Sequence, residues 1–252
     1  MNIKDYYEKE APMKAQMSPA YQQEVLKNIL EKFEIGLDNI CLDLGSGIGS
    51  NLNTIAEYFH KIIASDISVN ALKVSKKNHK LENCKYVEAD VENLPFKNVV
   101  FDVVIVTEVL EHISDLKKAI SEIHRILKNG KFVIVSTPNY YNLAGFYKKY
   151  KDKQIGKESW DPWGAHQKGF ERHMTPKLIE NAIRSYGFEI LYRVSKGYNT
   201  AWFFWINFLK IKFIRYILYK FRNLCIRFME KGCTLPVIRK IGMNYYLLLR
   251  KS

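Results

Sequence analysis

The stretch from residue 40 to residue 50, ICLDLGSGIGS, constrains this 252-residue chain more than any other. An apolar run meets an acid and then three glycines spaced G-x-G-x-G. Glycine tolerates positive φ and carries no Cβ. A strand-to-helix turn built on Gly45, Gly47 and Gly49, with Ser46 among them, therefore brings backbone N–H groups close to a ligand. The dinucleotide fingerprint asks instead for G-x-G-x-x-G, and Asp43, just ahead of the first glycine, would repel a pyrophosphate. Such a turn suits a ligand carrying an ammonium or sulfonium charge.

Short β-rich runs alternate with helical patterns along most of the chain, which reads as one main α/β domain. An amphipathic helix is expected around Tyr21 to Phe33. Strands are expected at Ile40 to Leu44, Lys61 to Ser65, Lys85 to Ala89, Phe101 to Thr107 and Lys131 to Ser136, with two more at Phe188 to Val194 and Tyr245 to Leu249. Runs such as VVIV and FVIV are apolar at successive positions, as strands buried on both faces require. Lys128-Asn129-Gly130 reads as a glycine C-cap closing a helix before a strand, and Thr175-Pro176 as the N-cap and first position of another helix that ends at Gly187.

In a doubly wound sheet ligands lie over the carboxyl ends of the strands. The residues collected there are Asp43 with the glycines, Asp66, Asp90-Val91, Thr107-Glu108 and Thr137-Pro138-Asn139. Asp66 falls where an acid can accept both hydroxyls of a ribose, which argues against a 2′-phosphate. Each acid also has a plainer reading: Asp43 and Asp66 as local caps, Asp90 as the start of a loop.

LDLGSGIG, SDIS, EADVENLPF, FDVVIVTEVLEHI, LKNGKFVIVSTPN and RHMTPKLIENAIRSYGFE, in this order, resemble the successive motifs of class I S-adenosylmethionine (SAM)-dependent methyltransferases. The likeness lies closest to the group containing ubiquinone-biosynthesis O-methyltransferases. It implies a Rossmann-like, mostly parallel seven-stranded sheet of order 3-2-1-4-5-7-6, its last strand antiparallel, with helices on both faces and a helical insertion before that strand. It implies a SAM-binding domain over residues 1–195, a basic aromatic insertion over 196–243 and the last strand over 244–252. It implies further that Asp43 and the glycine turn with Gly45, Ser46, Gly47 and Gly49 flank the amino acid part of the cofactor, that Asp66 takes the ribose, that Ile67 packs on adenine, that Asp90 and Val91 meet the adenine edge, and that Thr107 also belongs to the cofactor site. Glu108, Glu111 and His112 match an E-x-x-E-H pattern that relatives of this kind associate with a divalent metal such as magnesium. Two carboxylates at i, i+3 and an imidazole supply a reasonable ligand set, with His166 or His173 to complete it. Without a metal, His112 and Glu111 are the candidate catalytic residues, His112 as a general base; the plain alternative for His112 and for His173 is a packed histidine.

The formal charge of +13 is concentrated at one end, since residues from 196 onward hold twelve Lys or Arg against one acid, Glu230. Residues 198–209, YNTAWFFWINFL, are aromatic and uncharged but too short to span a bilayer. Beyond them Ile214, Ile217, Leu218, Phe221, Leu224, Cys225 and Phe228 follow helical spacing, with Lys212, Arg215, Lys220, Arg222, Arg227 and Lys231 on the other half. A basic amphipathic helix beside Trp202 and Trp205 is expected to lie on a membrane surface. A lid or dimer contact, and RNA binding, are the alternatives. The four cysteines lack paired spacing and the amino terminus has no apolar signal region. The expectation is a cytoplasmic methyltransferase, peripheral at the inner face of the membrane, that methylates oxygen on a small or lipid-like acceptor; an RNA methyltransferase and a noncatalytic SAM-binding subunit are the rivals.

Overall fold

The computed structural model describes residues 20–154, 171–198 and 212–252, with residues 8 and 202 as isolated positions. His166, Trp205 and nearly all of the aromatic run lie outside the described residues. In chain order the elements are α1 (Ala20–Lys32), β1 (Leu37–Leu44), α2 (Leu52–Ala56), β2 (Phe59–Asp66), α3 (Val69–His79), β3 (Cys84–Glu88), β4 (Phe101–Thr107), α4 (Leu116–Ile126), β5 (Leu127–Pro138), α5 (Leu143–Gln154), α6 (Pro176–Arg184), β6 (Phe188–Lys196), α7 (Lys212–Lys231) and β7 (Asn244–Lys251). One 3-10 turn, Leu110–His112, follows β4 and another, Ile238–Lys240, precedes β7.

The strands form one sheet of order β3-β2-β1-β4-β5-β7-β6. The pairs from β3 to β5 are parallel, whereas β7 runs antiparallel to both β5 and β6. This is the architecture the motifs imply. Successive residues of a strand point to opposite faces, so the apolar runs feed two cores. Val104, Val106, Leu247 and Leu249 join Ile120, Ile123, Ile179 and Ile183 under α4 and α6 on one side. Val103, Ile105, Tyr246 and Leu248 join Val25, Leu26, Ile29 and Leu52 under α1 and α2 on the other. Side-chain oxygens start three of the helices: Ser68 accepts from Ala71 N, Asp115 from Lys118 N and Thr175 from Leu178 N.

The expected glycine C-cap at Gly130 is not formed. α4 ends at Ile126 and β5 begins at once. Phe101 pairs with Leu127 and Val103 with Phe132, so residues 128–130 bulge out between the two pairings. Opposite the bulge stands Asp102, whose carboxylate accepts from Lys128 Nζ at 2.8 Å and Ile40 N at 3.1 Å, with Lys131 Nζ at 3.2 Å. Buried among the strands, that carboxylate is held below the ordinary range: burial would raise it, and the two lysines and the Ile40 amide override burial.

Among the described residues no helix is long and apolar enough to cross a membrane. The bulge gives the first test. Asp102→Ala leaves the Ile40 amide unpaired and removes the partner of two half-exposed lysines, and is expected to cost about 2 kcal/mol of stability, read from urea unfolding at neutral pH; a loss below about 0.5 kcal/mol would show the bulge stands without it.

Candidate functional site

The turn from β1 to α2 is fixed by β2. Gly45 N and Ser46 N both donate to Ser65 O at 2.8 Å, and Gly47 N donates to Asp66 Oδ2 at 2.8 Å. Asp66 Oδ1 accepts from Ser68 N at 2.9 Å, so one carboxylate ties the glycine turn to the start of α3. Gly45, at φ +74°, has Val109 where a Cβ would go. Gly47, at φ +54°, has nothing within 4 Å of that position, so its lack of a side chain leaves open space above the turn.

Asp43 lies beneath this turn and is 2% exposed. Its Oδ2 has no hydrogen-bond partner among the described residues. Burial, and then the charge of Asp66, push its carboxyl up to about 7. A buried carboxylate with an unused oxygen fits a cationic ligand group.

Around this centre Ile67 is half-buried, Val91 is buried, and Asp90 is exposed with Oδ1 accepting from Glu92 N at 2.9 Å. Thr107 Oγ1 accepts from Asn51 Nδ2 at 2.8 Å. Asn51 is buried and links the head of α2 to the tip of β4, a role that its place in the sequence does not announce.

Past β4 the carboxylates diverge in their surroundings. Glu108 sits at φ +55°, which a non-glycine residue adopts only when its neighbours fix it. Its Oε1 accepts from Ser136 Oγ at 2.6 Å and its Oε2 from Asn244 Nδ2 at 2.7 Å, while Asn244 Oδ1 accepts from Tyr21 of α1 at 2.6 Å. Burial pushes Glu108 up to about 7 against the Ser136 hydrogen bond. Glu111 is 2% exposed, and its Oε2 has no hydrogen-bond partner among the described residues. Burial first, then Glu108, raise it well above the ordinary carboxylate range. His112 Nε2 lies 3.8 Å from Glu111 Oε1.

Glu171 meets Lys148 Nζ at 2.6 Å and accepts from the hydroxyl of Tyr140. Burial acts to raise its carboxyl, but the Lys148 cation wins and the group titrates below its ordinary range. The buried His173 bonds Asp152 at 3.0 Å and packs against the Tyr140 ring, and burial lowers its pKa. It is a packed histidine here.

The expected metal set does not assemble. Both Glu108 oxygens are engaged by Ser136 and Asn244, and among the described residues no group of three or more His, Cys, Asp or Glu converges to hold an ion. Tyr21, Asn51, Lys148, Glu171 and Asn244 were not singled out by motif; their partners come from distant parts of the chain, and only the fold brings them together.

Residues 42–135 match the family described as Methyltransferase domain. An uncharacterized protein of Methanocaldococcus jannaschii, MJ1252, is 32% identical over 205 residues, covering 76% of this chain and 78% of that protein. The ubiquinone/menaquinone biosynthesis C-methyltransferase UbiE of Psychromonas ingrahamii is 32% identical over 119 residues, which is 43% of this chain and 47% of that protein. A solved SAM-dependent methyltransferase of Thermotoga maritima superposes with a TM-score of 0.62 at 14% identity, covering 100% of both chains, and shares the fold.

The buried acid makes a prediction about the ligand-free protein. Because Asp43 titrates at about 7 when folded and near 4 in an unfolded chain, the folded state holds a proton that the unfolded state has lost between those values. The stability tied to that proton is present below about pH 4 and is lost as pH rises through about 7. Asp43→Asn is expected to gain on the parent as pH rises from 5 to 8, by on the order of 2–4 kcal/mol. Urea unfolding at both values checks it, and an equal difference at the two would show that Asp43 ionises freely.

Proposed function

The chain belongs to the class I SAM-dependent methyltransferases, and from that premise we propose that it methylates an oxygen atom of a small, lipid-like acceptor at a membrane surface. The observation that carries the acceptor reading is α7: Ile214, Ile217, Phe221, Leu224 and Phe228 share one face of that helix and are all exposed. Amphipathic helices turn such a face toward a core. Outward, with the exposed Lys220, Arg227 and Lys231 on the same helix, it favours an anionic interface over a lid. UbiE is named for quinone biosynthesis, which supports an apolar acceptor here.

For the cofactor, the unpartnered Asp43 oxygen would meet the ammonium of the amino acid portion, with Ser46, Gly49 and Thr107 around it and the open space over Gly47 admitting close approach. Asp66 would accept from the ribose, Ile67 would pack on adenine, and Asp90 with Val91 would bound its edge. When bound, SAM supplies a methyl group on a positively charged sulfur, an electrophile that needs alignment more than activation. A hydroxyl acceptor needs its proton removed, and His112 is the group offered for that. Glu111, buried behind it, would position the imidazole. UbiE is named as a C-methyltransferase; a base next to a buried acid is what favours oxygen in this chain.

Two measurements test the proposal. SAM binding by calorimetry is expected to tighten as pH rises through about 7, with about one proton released, because Asp43 must ionise to meet a cation. Asp43→Asn is expected to weaken binding at least tenfold and flatten that dependence. Incubation of the full chain with methyl-labelled SAM and a lipid extract is expected to give an organic-soluble labelled product whose label is an ether or ester methyl. His112→Ala should lower its rate by about 10²-fold or more, and Asp66→Ala is the cofactor-binding control. Label appearing in RNA and absent from lipid would overturn the acceptor.

A further inference from the structure

The glycine turn is fastened in two halves by different parts of the chain. β2 takes the first half, through Ser65 O and Asp66 Oδ2. The second half, Ile48 to Ser50, is held by side chains from two helices. His79, the last residue of α3, brings Nε2 to 3.3 Å from Ile48 O, and Gln23 of α1 donates from Nε2 to Ser50 O at 2.7 Å. Asn53 of α2 steadies His79, with Oδ1 at 2.9 Å from Nδ1. A carbonyl only accepts, so the Ile48 bond needs the hydrogen on Nε2, and the Asn53 amide can offer either of its ends to Nδ1. One turn earlier on the same face of α3 stands Ser75, fully buried. A Cβ on Gly49, which sits at φ +89°, would collide with Ser75 Oγ and the His79 ring. The third glycine is therefore required by α3, which leans directly on the turn.

We propose that His79 is a positioning residue for the cofactor, holding the outer half of the glycine turn in the shape that receives the amino acid portion of SAM, with Gln23 as the matching peg on the α1 side. A trans peptide is planar, so a C=O fixed on one side sets the following N–H on the other. Holding Ile48 O and Ser50 O from outside thereby fixes the directions of Gly49 N–H and Asn51 N–H. The first of these donates to Ser46 O at 2.9 Å and closes the turn on itself. Asn51 carries, in the same stretch, the side-chain bond to Thr107 at the tip of β4. The glycines that permit this conformation permit many others, and without the pegs their ordering would draw on the binding energy of the ligand. α3 suits the task because it grips the cradle at both ends. Its start is tied through Ser68 N to Asp66, at the proposed ribose position, and its last residue reaches the outer half of the turn. This inference rests on the assignment of the glycine turn to the amino acid portion of SAM.

Calorimetry on the full chain with two ligands tests it: S-adenosylhomocysteine, which carries the amino acid portion, and 5′-methylthioadenosine, which lacks it. His79→Ala is expected to weaken S-adenosylhomocysteine about tenfold, the scale of one lost hydrogen bond, while methylthioadenosine stays within about twofold of the parent. His79→Gln offers an amide donor to Ile48 O and should restore most of the loss. Gln23→Ala is expected to show the same selective loss. Unchanged S-adenosylhomocysteine affinity in His79→Ala would overturn the inference. An equal fall for both ligands would overturn it too, by showing that the histidine serves the fold at large, as would a His79→Gln variant that binds no better than His79→Ala. If the parent itself binds neither ligand, the cofactor assignment falls and this inference with it. A parent that binds both, matched by His79→Ala, leaves the assignment standing and removes the inference alone.

Discussion

The site depends on a carboxylate that the fold buries and leaves half-used. Asp43 ends a strand whose neighbours on either side, Leu42 and Leu44, are core residues, so its position in depth is fixed by β1 and not by its own preference. Moving an ionised carboxyl out of water costs several kcal/mol unless a donor or cation meets it. The chain meets that demand only in part, by letting the group titrate at about 7. The arrangement makes physical sense if a cation completes it, and the glycine turn above Asp43 is where one could reach it. Even the turn is held by an acid, since Asp66 takes Gly47 N and Ser68 N with its two oxygens. Of two neighbouring carboxylates, Asp66 takes a backbone N–H on each oxygen and so shapes the cradle, while Asp43 keeps one oxygen without a partner among the described residues.

The same division recurs on the acceptor side. Glu108 is saturated by Ser136 and Asn244 and held at positive φ, which makes it a brace between β4, β5, β7 and, through Tyr21, α1. Glu171 is neutralised by Lys148. Glu111 alone keeps a buried oxygen unused, and it is the one adjacent to His112. Burial, and then the neighbouring Glu108, push the Glu111 carboxyl well above the ordinary carboxylate range. The E-x-x-E-H spacing holds a brace and a buried acid in sequence, and among the described residues its side chains do not converge into a group that could hold an ion.

What could be read from the sequence follows the range of the interactions. The seven strands were legible because each is a short apolar run bounded by turn residues, and Phe101 to Thr107 was placed to the residue. The bulge at 128–130 was not legible: Lys-Asn-Gly is a good local cap, whereas Asp102, the partner of Lys128, lies on another strand. The exposed face of α7 could be drawn on a wheel, but whether that face packs or stays outside is a tertiary fact.

Topology sets the edge of the sheet from which the basic end of the chain departs. β5 and β6 both pair antiparallel with β7, so β6 ends, and β7 begins, at the carboxyl edge of the parallel strands. Met243 N donates to Lys196 O across the mouth of that connection, closing the intervening residues into one excursion. Whatever lies between them must start and finish at that edge, on the β5 side of the sheet. The connection from β5 to α6, which contains α5, leaves from that edge too. An antiparallel seventh strand thus places α5 and α7 on connections that depart from the same edge as the glycine turn.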